Sequence, residues 1–243
     1  MPNYLKNSKY EGGVFPFGSS GSTAIKGYNV KFWNDLVHDR FVALIRALGA
    51  RYNSHPYFEG IGLTESAMGQ PLEPVSSTEI EHYYFNVLSI NQRIRNNFPN
   101  TMTFQYLNYP RWILDSFTSK FKEVGTALGC PDIFIEEPGL WYPKTPKGLY
   151  NYYPELSGVI PLTVQVEDQN FENTRFDGTG YQPTVSELLK FGRDTLKVNY
   201  IFWKRVPKYY SQVLEVLNWR AQTSDPAGGL DSNCPSVFAS CIN

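Results

Sequence analysis

The chain has 243 residues, of which 42 % are hydrophobic and 19 % charged, which disfavours both a disordered chain and a membrane protein. Its formal net charge of −1 and the lack of a basic stripe argue against nucleic acid as the main partner. Aromatic residues reach 16 %. Most of them are expected to fill the core, but the excess also points to carbohydrate, because sugar rings stack on aromatic faces.

The whole chain, residues 1–243, is expected to form a single domain with two irregular ends. Residues 1–30 are rich in Gly, Ser and Asn and predict an N-terminal arm without a strand. Residues 220–243 predict an irregular tail, in which Cys234 and Cys241 could form a disulfide under oxidising conditions. No stretch has the apolar length of a signal peptide or a membrane span, so a soluble chain of undetermined compartment is expected.

Strands and helices alternate from residue 34 onward. In chain order, the predicted elements are a helix from Asn34 or Asp35 to about Gly49, a strand over 57–65, a helix from the Ser76/Glu79 capping box to about Asn97, a strand over 102–107, a helix over 112–128, strands over 132–135 and 159–166, a helix from Thr184 to about Leu196, a strand over 198–203 and a helix over 207–219. This alternation is typical of βαβ units and a parallel sheet. We therefore predict an α/β fold, a partial TIM barrel of about five parallel βα units.

Each predicted strand ends in polar residues, and ligands of parallel α/β sheets bind at those carboxyl ends. The strand ends are Thr64-Glu65-Ser66, Gln105 with Asn108-Tyr109, Glu136-Glu137, Gln165 with Glu167-Asp168, and Trp203-Lys204-Arg205. Glycosidic bond cleavage needs two such carboxyl groups, about 5–5.5 Å apart for retention and about 6.5–9.5 Å apart for inversion of configuration. Burial and like-charge repulsion could raise the pKa of one of them and so divide the roles.

The order of these strand ends resembles the large clan of retaining TIM-barrel glycoside hydrolases. In that clan an acid/base Glu ends the fourth strand, a nucleophile Glu the seventh, and a Trp often the eighth; Glu65, Glu167 and Trp203 match this order. Residues 39–61 look like the helix and fourth-strand entry of cellulase- and galactosidase-like barrels. The chain departs from the clan in having Thr64 where Asn usually precedes the acid/base, and in lacking the first three strand–helix units.

The resemblance implies a retaining glycoside hydrolase that needs no cofactor or metal. Glu65 would be the general acid/base and Glu167 the nucleophile, with Glu137 or Glu136 as alternative nucleophiles. The expected substrate contacts are Asn108, Gln165, Trp203, Trp141 and Tyr106. The expected partner is therefore a carbohydrate, and neither a nucleic acid nor a membrane.

Other interpretations of these residues stay open. Glu65 could be a solvated or helix-capping carboxylate, Glu167 could belong to an ordinary polar loop, and Trp141 could pack beneath its own loop. The chain could be a non-catalytic carbohydrate-binding or scaffold protein derived from a shortened barrel, or a fragment of a longer enzyme. The two edges of a five-stranded sheet are expected to be covered by the N-terminal arm or by a second chain, in a homodimer.

Other reaction classes are disfavoured. The chain contains no P-loop, dinucleotide fingerprint or nucleophile elbow. His38, His55 and His82 have no metal-ligand spacing, and a structural role is expected for each.

Overall fold

The computed structural model describes residues 2–19 and 21–238. The chain divides into two compact units. Unit 1 comprises Met1–Gly62 and Ala67–Thr103, and unit 2 comprises Leu63–Ser66 and Phe104–Asn243. The single domain expected over residues 1–243 stays a prediction.

Strands and helices alternate through most of the chain. In order they are β1 (Val14–Gly18), β2 (Gly27–Val30), α1 (Asp35–Tyr52), β3 (Gly60–Glu65), β4 (Gln70–Pro71), α2 (Ser77–Asn97), β5 (Met102–Tyr106), α3 (Leu114–Val124), β6 (Ala127–Cys130), α4 (Tyr153–Leu156), β7 (Leu162–Val166), α5 (Asp168–Glu172), α6 (Val185–Lys190), β8 (Tyr200–Trp203), α7 (Pro207–Leu217) and α8 (Arg220–Thr223). Short 3-10 helices lie at Asn3–Leu5, Ser8–Tyr10, Arg111–Ile113 and Leu149–Tyr152, and a π-helical turn, Phe191–Thr195, follows α6.

Unit 1 contains a three-stranded antiparallel sheet in the order β2-β1-β4. The prediction that residues 1–30 lack strands is therefore wrong, since β1 and β2 lie there. β1 is not recognisable from the sequence because it contains Pro16 and Gly18, and both residue types are depleted in strands. Burial of Phe15, which is 1 % exposed and packs on Trp33, holds the strand in place nonetheless.

The two long helices of unit 1 begin where their caps predict. The side chain of Asn34 accepts hydrogen bonds from the first turn of α1, and Ser76 and Glu79 form the reciprocal capping box of α2. The two helices are linked by the buried Asn86, whose amide donates to Asp35 Oδ1 at 3.1 Å.

Unit 2 is built on a five-stranded parallel sheet in the order β3-β5-β6-β7-β8, to which β3 and β5 contribute from Leu63 and Phe104 onward. Helices lie between successive strands from β5 to β8. This confirms an α/β fold with about five parallel strands, and it is consistent with part of an α/β barrel.

The sheet is curled. In a flat sheet, β5 and β8 would lie about 14 Å apart, because β6 and β7 separate them and neighbouring strands are about 4.8 Å apart. The rings of Phe104 in β5 and Phe202 in β8 are nevertheless stacked, with centroids 5.5 Å apart. Tyr106 also meets Phe202, at 6.4 Å. These aromatic side chains therefore line the concave face of the sheet.

The third strand of this sheet, β6, lies earlier in the chain than the sequence predicted. The helix expected over 112–128 ends at Val124, because Gly125 adopts a left-handed backbone conformation at φ 81°. The strand that follows is Ala127–Cys130, four fully buried residues, and residues 132–135 form a loop instead of the predicted strand. The carboxyl end of this strand therefore lies at residues 131–132, ahead of Glu136.

The end of the chain contains a helix that was not expected. Residues 220–243 were predicted to be irregular, but α8 occupies Arg220–Thr223, followed by turns and bends up to residue 238. Cys241 lies outside the described residues, so its disulfide with Cys234 stays a prediction. None of the described helices combines the length and the apolar character needed to cross a membrane.

Candidate active site at the strand ends of unit 2

Three acidic residues follow three strands of the parallel sheet at the same edge. Glu65 is the last residue of β3, Asp132 lies two residues beyond β6, and Glu167 directly follows β7. Glu65 and Glu167 both act electrostatically on Asp132. Unit 2 therefore brings the two predicted glutamates within electrostatic reach of a third carboxyl group, which the sequence analysis did not single out.

Asp132 has the perturbed carboxyl group of this site. Its pKa is raised to about 6, first by burial, then by the charge of Glu65, and further by Glu167 and Glu137; the amide of Asn170 acts in the opposite direction. A carboxyl group with this pKa is part protonated near neutral pH, as an acid catalyst requires. The sequence prediction missed it because the strand before it was placed five residues too late.

The loop after β5 holds Glu65. Asn108, which is 6 % exposed, donates through Nδ2 to Glu65 Oε1. Asn108 is itself fixed, since its Oδ1 accepts from the backbone N–H of Tyr109 at 2.6 Å. Ser66 ties the end of β3 to the same loop by donating to the carbonyl of Tyr109 at 2.9 Å. Asn108 was predicted to contact substrate, and the structure places it on the carboxylate of Glu65.

Glu167 forms an ion pair and several hydrogen bonds. Lys204, just after β8, donates to Glu167 Oε2 at 2.7 Å and to Asp168 Oδ2 at 2.8 Å. Gln165 donates to the other oxygen, Glu167 Oε1. Glu167 also occupies the N-cap position of α5, and its backbone N–H donates to Asn170 Oδ1 at 2.7 Å. Gln165, predicted as a hydroxyl contact, therefore orients Glu167, while Lys204 compensates its charge.

Tyr106 lies on the concave face beside the acidic groups. Its ring occupies space that only a glycine leaves free: a Cβ added at Gly129 in β6 would lie 2.5 Å from the ring and 2.9 Å from Thr163 Oγ1. Burial raises the pKa of the Tyr106 hydroxyl, with further contributions from Cys130 and Glu167. Tyr106 thus remains neutral at physiological pH.

The two predicted tryptophans both pack against protein. Trp203, at the end of β8, contacts Phe171 at 6.2 Å between ring centroids. Trp141 donates through Nε1 to the carbonyl of Ile135 at 2.8 Å and meets Tyr150 edge-on at 5.1 Å. The interpretation of Trp141 as a residue packed within its own loop fits this geometry.

The alternative nucleophiles, Glu136 and Glu137, lie in the loop after β6 and accept hydrogen bonds from residues 174 and 176. Glu136 Oε2 accepts from Thr174 Oγ1 at 2.5 Å. Glu137 Oε2 accepts from the backbone N–H of Phe176 at 3.0 Å. Glu137, unlike Glu136, also acts on the pKa of Asp132. Glu137 is therefore the nearer of the two alternatives to the acidic cluster, although no strand ends at either of them.

The described residues contain no group of three or more His, Cys, Asp or Glu side chains that could hold a metal ion. In comparisons with protein families, curated proteins and solved structures, no family model, protein or structure matches this chain.

Proposed function

We propose that this chain is a glycoside hydrolase of the retaining type, with Glu65 as general acid/base and Glu167 as nucleophile. The observation that carries the proposal is the convergence of carboxyl groups from β3, β6 and β7 at one edge of the sheet, with Glu65 and Glu167 each within electrostatic reach of Asp132. Glycosidic bond cleavage requires both a proton donor and an ionised carboxylate at such a site.

The partners of each glutamate suit its proposed role. Lys204 forms an ion pair with the carboxylate of Glu167 and Gln165 donates a hydrogen bond to it, so both hold the proposed nucleophile in place. Glu65 receives a hydrogen bond from Asn108 and stands at an exposed strand end, where it can reach a leaving-group oxygen.

The proposed reaction proceeds in two steps. Glu167 attacks the anomeric carbon while Glu65 donates its proton to the departing oxygen, so that the glycosidic bond breaks and a glycosyl ester forms on Glu167. Glu65, now ionised, then removes a proton from a water molecule that attacks the anomeric carbon. The ester bond breaks, the sugar leaves with its configuration retained, and both glutamates return to their starting states.

The test is hydrolysis of a panel of aryl glycosides and soluble polysaccharides by the wild type, Glu65→Gln and Glu167→Gln. We expect a loss in kcat of about 10²- to 10⁴-fold in Glu65→Gln, and a loss at least as large in Glu167→Gln. Glu172→Gln is the matched control, because Glu172 also pairs with a lysine beyond β8, Lys208, at 2.9 Å. Circular dichroism checks folding of every variant.

Two results would contradict the proposal, the first by rejecting hydrolysis and the second by rejecting the roles of Glu65 and Glu167. The first is a wild type that turns over no substrate of the panel. The second is turnover that survives in folded Glu65→Gln and Glu167→Gln but fails in Glu137→Gln, which would move the nucleophile to the loop after β6.

A carbohydrate-binding protein without turnover is the second candidate. It is favoured by the engagement of Glu167 with Lys204 and the N-terminus of α5, together with the aromatic groups on the concave face, where Phe202 is 37 % exposed. Retention on immobilised polysaccharide, lost in Phe202→Ala and unaffected by Glu65→Gln, in the absence of any hydrolysis, would support this function.

A further inference from the structure

Unit 1 contains a mostly apolar cavity of about 760 Å³, and all the residues that line it belong to this unit. It lies between the 3-10 helix at Asn3–Leu5, the paired strands β1 and β2, and the helix α1. Helix α1 contributes Val37, Arg40, Phe41 and Leu44, whose spacing places them on one face of the helix. Sites for small molecules are concave, mostly apolar and about 300–1,000 Å³ in volume, so this cavity has the dimensions of a ligand site.

The floor of the cavity is a small hydrophobic cluster. Leu5, Tyr10 and Val37 are buried together, and Val30 packs against them. At the mouth, by contrast, Leu44 is 51 % exposed. The cavity therefore presents apolar surface to water, and a ligand that covers this surface gains the hydrophobic free energy of its burial.

The charged side chains on the lining are both cationic. Among the described residues they are Lys6 and Arg40, and neither forms an ion pair with another described residue. Two tyrosines position Arg40: its Nε donates to Tyr10 Oη at 3.3 Å, and its guanidinium group lies over the ring of Tyr4, 5.8 Å from the centroid. The terminal nitrogens of Arg40 are thereby left to bind a ligand. A guanidinium group can hold a carboxylate by two parallel hydrogen bonds.

The charge and the apolar character of the lining together select the ligand. Two cations, with no acidic residue beside them on the described lining, disfavour a cationic ligand. A small hydrophilic anion would leave most of the apolar surface uncovered. An amphiphilic anion satisfies both parts, because its hydrocarbon chain covers the apolar surface while its carboxylate reaches Arg40.

We propose that this cavity binds a free carboxylic acid with a long alkyl chain, a ligand of the fatty-acid type. The alkyl chain lies over Leu5 and Val37, and the carboxylate pairs with Arg40, with Lys6 as a second positive charge. The site belongs to unit 1 alone, so the inference goes beyond the proposed hydrolase and does not depend on it.

The first test is calorimetric titration of the protein with dodecanoate, below its critical micelle concentration, and with dodecan-1-ol. We expect saturable binding of dodecanoate, and binding of the alcohol about tenfold weaker, because the alcohol lacks the charged contact with Arg40. Arg40→Gln should weaken dodecanoate binding about tenfold and leave dodecan-1-ol binding unchanged.

Arg51→Gln is the matched control for the substitution of Arg40. Arg51 lies on the same helix and over a tyrosine ring, that of Tyr52 at 5.3 Å, but it does not line the cavity. Its substitution should leave both affinities unchanged, with circular dichroism confirming the fold of each variant. The inference would be overturned by the absence of saturable dodecanoate binding, by equal losses in the two variants, or by dodecyltrimethylammonium that binds as tightly as dodecanoate.

The second test needs no variant and locates the ligand by methyl NMR of the wild-type protein. Dodecanoate should cause saturable shifts of the Leu44 and Val37 methyl resonances. The control is Leu214 in α7, which is 42 % exposed and does not line the cavity. Shifts that are equal at Leu44 and Leu214 would show non-specific binding and overturn the inference.

Two other occupants of the cavity can be recognised in the same experiments. Sedimentation of the protein with phosphatidylglycerol vesicles, without any response of Leu44 to dodecanoate, would assign the cavity to a membrane surface. Concentration-dependent shifts of the Leu44 methyl resonances without ligand, again with no response to dodecanoate, would assign it to a second copy of the chain. Either result would overturn the inference of a fatty-acid site.

Discussion

The acidic residues that follow β6 and β7 have opposite electrostatic surroundings. After β7, Glu167 is neutralised by Lys204 at 2.7 Å and oriented by Gln165. After β6, Asp132 is largely buried among other acidic groups, and only the amide of Asn170 opposes the rise in its pKa. Adjacent strands of one sheet thus support an ion-paired carboxylate and a carboxyl group that titrates near pH 6.

This difference lies in the groups that surround each carboxyl group. Glu167 has a cationic partner in Lys204, whereas burial and neighbouring carboxylates raise the pKa of Asp132 to about 6. A strand-end position alone does not divide these roles. The division comes from burial and from the lysine that β8 supplies.

The largest effect on stability is expected from Asp132→Asn. The folded-state pKa of Asp132, about 6, exceeds the ordinary aspartate value of 3.8, so the folded chain binds the proton more tightly than the unfolded chain. Stability therefore falls as the pH rises from about 4 to about 6 and stays lower above that range. Removal of the ionisable group should raise the free energy of unfolding at pH 7 by at most about 3 kcal/mol, with no gain below pH 4, in urea denaturation.

Asp177→Asn is the matched control for the direction of this change in stability. Thr179 lowers the pKa of the exposed Asp177 through its backbone N–H and its hydroxyl. Its substitution should therefore reduce stability at pH 7, and the reduction should vanish in acid. A loss of stability at pH 7 in Asp132→Asn would contradict the contrast between the two strand ends.

A second effect is expected from Gly129→Ala in β6. The new methyl group would lie 2.5 Å from the ring of Tyr106, so either the ring or the strand must shift. Overpacking of this kind costs about 1–3 kcal/mol of unfolding free energy, measurable by urea denaturation. Gly60→Ala in β3 is the control, since its nearest contact would be the flexible end of Met102 at 3.3 Å. Equal losses in the two variants would argue against close packing of Tyr106 on β6.

A third, smaller effect concerns the pKa of Asp132 itself, read by carbon NMR of its carboxyl group. Each neutralised neighbour should lower the pKa from about 6, because each removes a like charge. The order of the causes predicts the largest decrease in Glu65→Gln, a smaller one in Glu167→Gln and the smallest in Glu137→Gln. A decrease that is largest in Glu137→Gln would show that Asp132 interacts more strongly with the loop after β6 than with Glu65 and Glu167 at the strand ends.

The smallest effect is expected on stability in Glu167→Gln. The ion pair with Lys204 is open to solvent, with side chains 31 % and 46 % exposed, and surface pairs contribute little. Its unfolding midpoint should match that of Glu172→Gln within the error of the measurement, although only Glu167→Gln is expected to lose activity. A clear destabilisation by Glu167→Gln alone would give Glu167 a structural role in α5.

Local signals predicted several elements of the fold closely. The capping box of Ser76 and Glu79 starts α2, which ends at the expected Asn97. Thr184 and Glu187 likewise start α6, and Pro207 opens α7. These signals work because the hydrogen bonds that satisfy a helix terminus lie within four residues of each other.

The sequence predicted some strands more accurately than others. β5 and β7 are recognisable as apolar runs, whereas β6 is only four residues long and contains Gly129. The loop that follows it includes Ile133 and Phe134, both buried, and so imitates a strand in the sequence. This displacement led the prediction to Glu136 and Glu137 and away from Asp132.

The sequence by itself determined the helix caps, the alternation of strands and helices, and two of the three acidic strand ends, because these depend on residues close together in the chain. Only the tertiary structure decided that Asp132 joins them, that Lys204 compensates Glu167 and that the amide of Asn170 lowers the pKa of Asp132. The physical reason is that burial and electrostatic interactions depend on distance in space, and Asp132 lies 67 positions after Glu65 in the sequence.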